Sequence, residues 1–196
     1  MRSLPKDEFG REYLLAVGEQ YGVRGWSVRG GKLAAACNHR ATWEPGINVA
    51  KCRVDEYGSG WQPYYTGHHV MGGWLYTGFD HWNLEKKPPA HDDAPREDCT
   101  CGFYAYSNPR RAVMGSVKGV VRITGRTLVG TKGWRFEYGE IVALLNPHAG
   151  KGEGSWSVTR ASYLESLRAN YPTVPIFKTD EEMFEAFPLT ELEADA

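Results

Sequence analysis

Residues 113–138 read VMGSVKGVVRITGRTLVGTKGWRFEY, and this stretch decides the fold class. The runs 113–124 and 127–129 are dominated by β-branched residues and are punctuated by Gly125 and Gly130. Branched side chains pack well on a pleated surface and lose less freedom there than in a helix. Trp134, Phe136 and Tyr138 then alternate with Arg135 and Glu137, the period of two expected of a half-buried strand. The intervening Gly130-Thr-Lys-Gly133 supplies a tight turn, so these strands are expected to pair antiparallel.

On the N-terminal side, 23–28 and 32–37 read as a hairpin closed by Arg29-Gly30-Gly31. Trp43-Glu-Pro-Gly46 reads as a turn and 47–54 as a returning strand. A first helix is expected over 7–20, with Phe9, Tyr13, Ala16 and Val17 on one side and Gly22 ending it. On the C-terminal side, Val158, Ala161, Leu164 and Leu167 give 157–170 an apolar helical stripe. A short strand follows at 174–177. Thr179 with Glu182 forms a capping box for a last helix, which Pro188 stops. The expected architecture is α+β, a twisted antiparallel β-sheet with C-terminal helices packed on it, in one domain over 1–196.

Residues 55–98 break the pattern, being rich in Gly, Tyr, Trp, His and Pro with little periodicity. A segment this long without regular structure is usually functional or disordered, and its aromatic content argues against full disorder. Trp61, Tyr64, Tyr65, Trp74, Tyr76, Phe79 and Trp82 suit a partner-recognition surface, or a small core of the excursion's own.

The formal net charge of −1, with acids and bases dispersed, argues against a dedicated nucleic-acid domain. A local basic patch from Arg110, Arg111, Lys118, Arg122 and Arg126 stays open. From Asp180 onward the chain carries seven acids and no Lys or Arg, the pattern of a solvated terminus. The opening Met-Arg-Ser-Leu-Pro-Lys-Asp-Glu has no apolar region, and no run approaches a membrane span, so a cytoplasmic location is expected.

In a cytoplasmic setting four cysteines read as free thiols or metal ligands before disulfides. Cys99-Thr-Cys101-Gly102 places two sulfurs one residue apart before a glycine, and both can turn to one ion if the backbone bends there. With Cys52 and His91 they make a Cys₃His set suited to structural zinc, with Cys37 in reserve. The plainer reading is that these are small buried hydrophobes, which a regular strand would pack on one face; redox chemistry is a third. His68, His69 and His81 suggest no second site, because adjacent histidines point apart and no H-E-x-x-H pattern accompanies them. Gly150, Gly152, Gly154 and Ser155, just before a helix, resemble an anion-binding loop but match no phosphate-loop spacing, so a connector is the plainer reading.

Gly22-Val-Arg-Gly-Trp26, Trp43-Glu-Pro-Gly46, Ala50-Lys-Cys52, His91 to Pro95, Cys99-Thr-Cys101-Gly-Phe-Tyr-Ala105 and Gly133-Trp-Arg-Phe-Glu137 resemble a group of small proteins of actinobacteria and their phages, marked by C-x-C-G-[IF]-Y-A. The likeness spans roughly 22–145, with 55–90 as a variable insertion. It brings no activity with it, but implies that the Cys52, His91, Cys99 and Cys101 grouping is no accident of composition. No catalytic constellation stands out. The expected function is therefore a non-enzymatic cytosolic binding protein, a phage or host regulatory factor engaging another protein through the aromatic excursion. The alternatives are an enzyme acting on a nucleotide or other small molecule through 150–155, and a small zinc-stabilised regulatory protein.

Overall fold

The computed structural model describes residues 14–15, 18–35, 42–52, 91–97, 99, 101–112, 115–147 and 157–192. In chain order these form β1 (Leu14–Leu15), β2 (Gln20–Arg29), β3 (Lys32–Ala35), β4 (Thr42–Trp43), β5 (Ile47–Val49), β6 (Phe103–Tyr106), a 3₁₀ turn (Pro109–Arg111), β7 (Val117–Gly130), β8 (Gly133–Leu145), α1 (Ser157–Asn170), β9 (Ile176–Phe177) and α2 (Asp180–Ala186).

The β7–β8 hairpin is the spine. It runs from Gly119↔Leu144 to Gly130↔Gly133, with register shifts at Val120/Val121 and Thr124/Thr127. Bulges of this kind bend a ladder and increase its twist. The bend lets β2 pair along β7 from Gln20↔Ile123 to Trp26↔Val117 while β6 pairs the far end of β8, Phe103↔Phe136 to Tyr106↔Gly133. A single pairing, Val23↔Tyr106, then joins β2 to β6 and closes a four-strand circuit β7-β8-β6-β2. All pairs are antiparallel among the described residues except β8–β9, which is parallel.

Side chains leave this ladder both ways. On one side Trp26, Leu33, Trp43, Ile123, Trp134, Phe136 and Leu144 build the main core, joined by Leu167 of α1 and by Tyr171. On the other, Val120 and Ala143 pack with Met183 of α2, supported by Phe177, Phe184 and Phe187. The capping box is present: Thr179 Oγ1 accepts from Glu182 N at 3.2 Å. The Glu182 carboxylate reaches back one residue further than usual and accepts from Lys178 N at 3.0 Å. Asp180, Glu181 and Glu182 occupy the first turn of α2, where the helix dipole favours acids. Part of the acidic C-terminal run is thus a helix start.

Tyr171, just past α1, ties that helix to the sheet. Its hydroxyl accepts from Leu33 N at 2.8 Å and donates to Trp43 O at 2.6 Å, bridging β3 and β4 inside the core. Tyr171→Phe leaves a buried N–H and a buried carbonyl without that partner, and is expected to cost about 1–3 kcal/mol in urea unfolding. Burial also raises the Tyr171 phenol above its ordinary value. Its contribution is therefore complete below about pH 10 and lost as pH rises past the unfolded value, a fall that Tyr171→Phe should abolish.

Several expectations need correction. The helix over 7–20 is not formed where the chain is described: Leu14–Leu15 is a strand paired with Val129 and Leu128, and Gln20 already opens β2, with Gly22 inside it. Pairing to the β7 edge outweighs a helical spacing that rested on few apolar residues. The strand expected at 47–54 ends at Val49, although Ala50 N still donates to Glu137 O at 2.8 Å. The first central run begins at Val117, and the strand at 174–177 keeps only Ile176–Phe177. The alternation along 134–138 also fails at Arg135, which is buried rather than solvent-facing.

Candidate metal centre

Cys52 reaches the site because β5 docks on β8 at Val49↔Tyr138 and the chain continues one ladder bond further, through Ala50. His91, Cys99 and Cys101 arrive on the loop that leads into β6. That loop turns through Cys99 N donating to Arg96 O at 3.2 Å, and Gly102 then takes φ +119° to aim the chain into β6. The bend lifts Cys99 and Cys101 out of regular strand geometry. A small satellite core of Ala50, Ala94, Cys99 and Cys101, edged by Cys52 and Phe103, surrounds the sulfurs.

The ligand atoms of Cys52, His91, Cys99 and Cys101 all lie within 4.8 Å of one another. Cys52 Sγ is 3.8 Å from Cys99 Sγ, and Cys101 Sγ is 3.4 Å from His91 Nε2. A tetrahedron with metal–sulfur bonds near 2.3 Å and a metal–nitrogen bond near 2.0 Å has S–S edges of about 3.8 Å and S–N edges of about 3.5 Å. The two separations match opposite edges of that figure. The quartet could hold a metal ion, and the donor chemistry fits one.

The surroundings are arranged for it. The His91 side chain is almost wholly buried, and its Nδ1 lies 3.0 Å from Asp93 Oδ1, an oblique approach short of an aligned hydrogen bond. With Nε2 facing the sulfurs and Nδ1 facing a carboxylate, the ring has the orientation of a metal-bound histidine. Asp93 also meets Arg126 at 3.5 Å and Arg96 at 4.0 Å. The Cys99 thiol is held down to about 4, first by the hydrogen bond from Cys101 and against the opposing effect of burial. The same hydrogen bond, with burial, pushes the Cys101 thiol up.

Beneath the loop lies Arg135, only 2% exposed. Its Nη1 donates to Cys99 O, and to Cys101 O at 3.3 Å, and its Nη2 donates to Arg96 O at 2.9 Å. Sequence reading placed this residue on the solvent face and missed it. The only signal was the charge itself, standing between Trp134 and Phe136. Asp93 was also missed, though its place two residues after His91 was a usable clue.

Trp61, Tyr64, Tyr65, Trp74, Tyr76, Phe79 and Trp82, with His68, His69 and His81, lie outside the described residues. So do Cys37 and the Gly150, Gly152, Gly154 and Ser155 loop. The basic patch is largely neutralised: Lys118 pairs with Asp180, Arg122 with Glu140 and Glu19, and Arg126 with Asp93. No helix among the described residues is long and apolar enough to cross a membrane. Comparison with family models, characterised proteins and solved structures finds no match.

Proposed function

We propose that the chain is a non-enzymatic binding protein whose Cys52, His91, Cys99 and Cys101 hold a structural zinc ion. The observation that carries the reading is where the ligands come from. Cys52 precedes residues 53–90 and the other three follow them, so four donors from both flanks of that segment converge within 4.8 Å. An ion held there clamps the two ends of the aromatic-rich excursion to the sheet. Four protein ligands leave no open coordination position, which suits a structural role and not hydrolysis. Zinc suits three sulfurs and an imidazole better than a hard, oxygen-seeking cation would.

In this reading the function lies in what the clamp presents: Trp61, Tyr64, Tyr65, Trp74, Tyr76 and Trp82, offered to another protein. The likeness of 99–105 to actinobacterial and phage proteins falls on two of the four ligands, Cys99 and Cys101. Protein purified without added metal is expected to carry one zinc per chain by elemental analysis. The C99S/C101S double variant is expected to carry none. A metal-free wild-type protein that is folded and fully reduced would defeat the proposal.

A further inference from the structure

Two of the sulfurs stand where a covalent bond can take the place of an ion. Cys52 Sγ and Cys99 Sγ are 3.8 Å apart although their positions differ by 47 in the chain, one before and one after residues 53–90. A disulfide needs its sulfurs at about 2.05 Å. Cys52 is the member with room to close that gap: it is half-buried and lies past Ala50, whose N–H bonds Glu137 O. Cys99 also shares a hydrogen bond with Cys101, but cysteines one residue apart join only through a small ring that strains the bond. Cys101 Sγ faces His91 Nε2 at 3.4 Å as well.

We infer that Cys52 and Cys99 form a reversible disulfide on exposure to a hydroperoxide, a second clamp on the same two flanks that excludes the ion. One thiolate attacks hydrogen peroxide, the O–O bond breaks, and the sulfur becomes a sulfenic acid while hydroxide leaves and takes up a proton. The second thiolate attacks the sulfenic sulfur, the S–S bond forms, and a second hydroxide leaves as water with a second proton. Two thiolates, one peroxide and two protons thus give one disulfide and two waters; the sulfurs lose the two electrons that the peroxide gains. Release of the ion presupposes the zinc reading: oxidation removes two of the four ligands, and Cys101 with His91 are too few for a closed tetrahedral site. The link itself requires only the sulfur pair.

The test is hydrogen peroxide added to the full-length chain, zinc-loaded and, in parallel, reduced and metal-free. The loaded chain is expected to release one zinc to a chromogenic chelator and to lose two of its four thiols. A non-reduced digest should show one intramolecular link, Cys52 to Cys99, and dithiothreitol should restore both thiols and zinc binding. The oxidised chain should melt above the reduced metal-free chain, because the link closes a long loop. C37S should behave as wild type, and C52S should form no link across 53–90. A Cys99–Cys101 or intermolecular link overturns the inference, as does oxidation that stops at sulfinic acid with Cys52 still a thiol. So does an oxidised chain that melts with the reduced metal-free one. Wild-type chain that takes up no zinc defeats the metal reading alone; the link is then decided on that same chain by the same digest.

Discussion

Stripping zinc with a chelator is expected to lower the thermal midpoint by about 8–16 °C. A ligand held at a thousand times its dissociation constant stabilises by about 4.1 kcal/mol, and each kcal/mol moves the midpoint of a chain this size by about 2–4 °C. The loss should be local first. Around the sulfurs the apolar packing is small, Ala50, Ala94, Cys99 and Cys101 with Cys52 and Phe103 at its edge, so a bound ion would add substantially to the Arg135 hydrogen bonds that hold residues 96–101. The main core of Trp26, Trp43, Trp134 and Phe136 is a separate cluster and keeps its own burial. Hydrogen exchange of the metal-free protein should therefore show residues 91–101 unprotected while β7 and β8 stay slow. Cys52→Ala should reproduce part of the effect, since it detaches one end of the clamp and leaves three ligands on the other. A metal-free protein with unchanged midpoint and unchanged protection at 91–101 would show that packing alone builds the loop.

How much of this the sequence disclosed depends on the range of the deciding interaction. The β7–β8 hairpin was legible because branched residues and Gly130-Thr-Lys-Gly133 specify it locally. The capping box at Thr179 and Glu182 was legible for the same reason. β1 was not, because Leu14 and Leu15 become a strand only by meeting Val129 and Leu128, more than a hundred residues away. The ligand quartet was legible in kind, since the chain has only four Cys and six His, but the plainer reading of packed thiols placed them in a regular strand. The thiols are buried as that reading has them, but on a bent loop that also brings them to Cys52 and His91. Arg135 shows the limit most clearly. Its face was assigned by a period of two, while its burial is set by a loop more than thirty residues earlier.

The second large effect is expected at Gly102, where geometry and chemistry meet. At φ +119° the backbone lies in a region that residues with a side chain rarely occupy. A Cβ at this position would stand 2.9 Å from Arg135 Cγ and 3.0 Å from Pro95 Cβ, so it meets both the buried arginine and the loop that carries the ligands. Gly46 is the matched control: its φ is +84° and a Cβ there meets nothing within 4 Å. Gly46→Ala should cost about 1 kcal/mol of backbone strain and leave zinc affinity unchanged. Gly102→Ala should cost about 2–4 kcal/mol in urea unfolding, strain plus displaced packing, and weaken zinc binding at least about tenfold. The difference between the two variants isolates the steric part, because both carry an alanine at positive φ. If Gly102→Ala instead matched Gly46→Ala in both measurements, Arg135 and Pro95 would have to yield freely, and a loop so yielding could not be what orients Cys99 and Cys101 towards one ion.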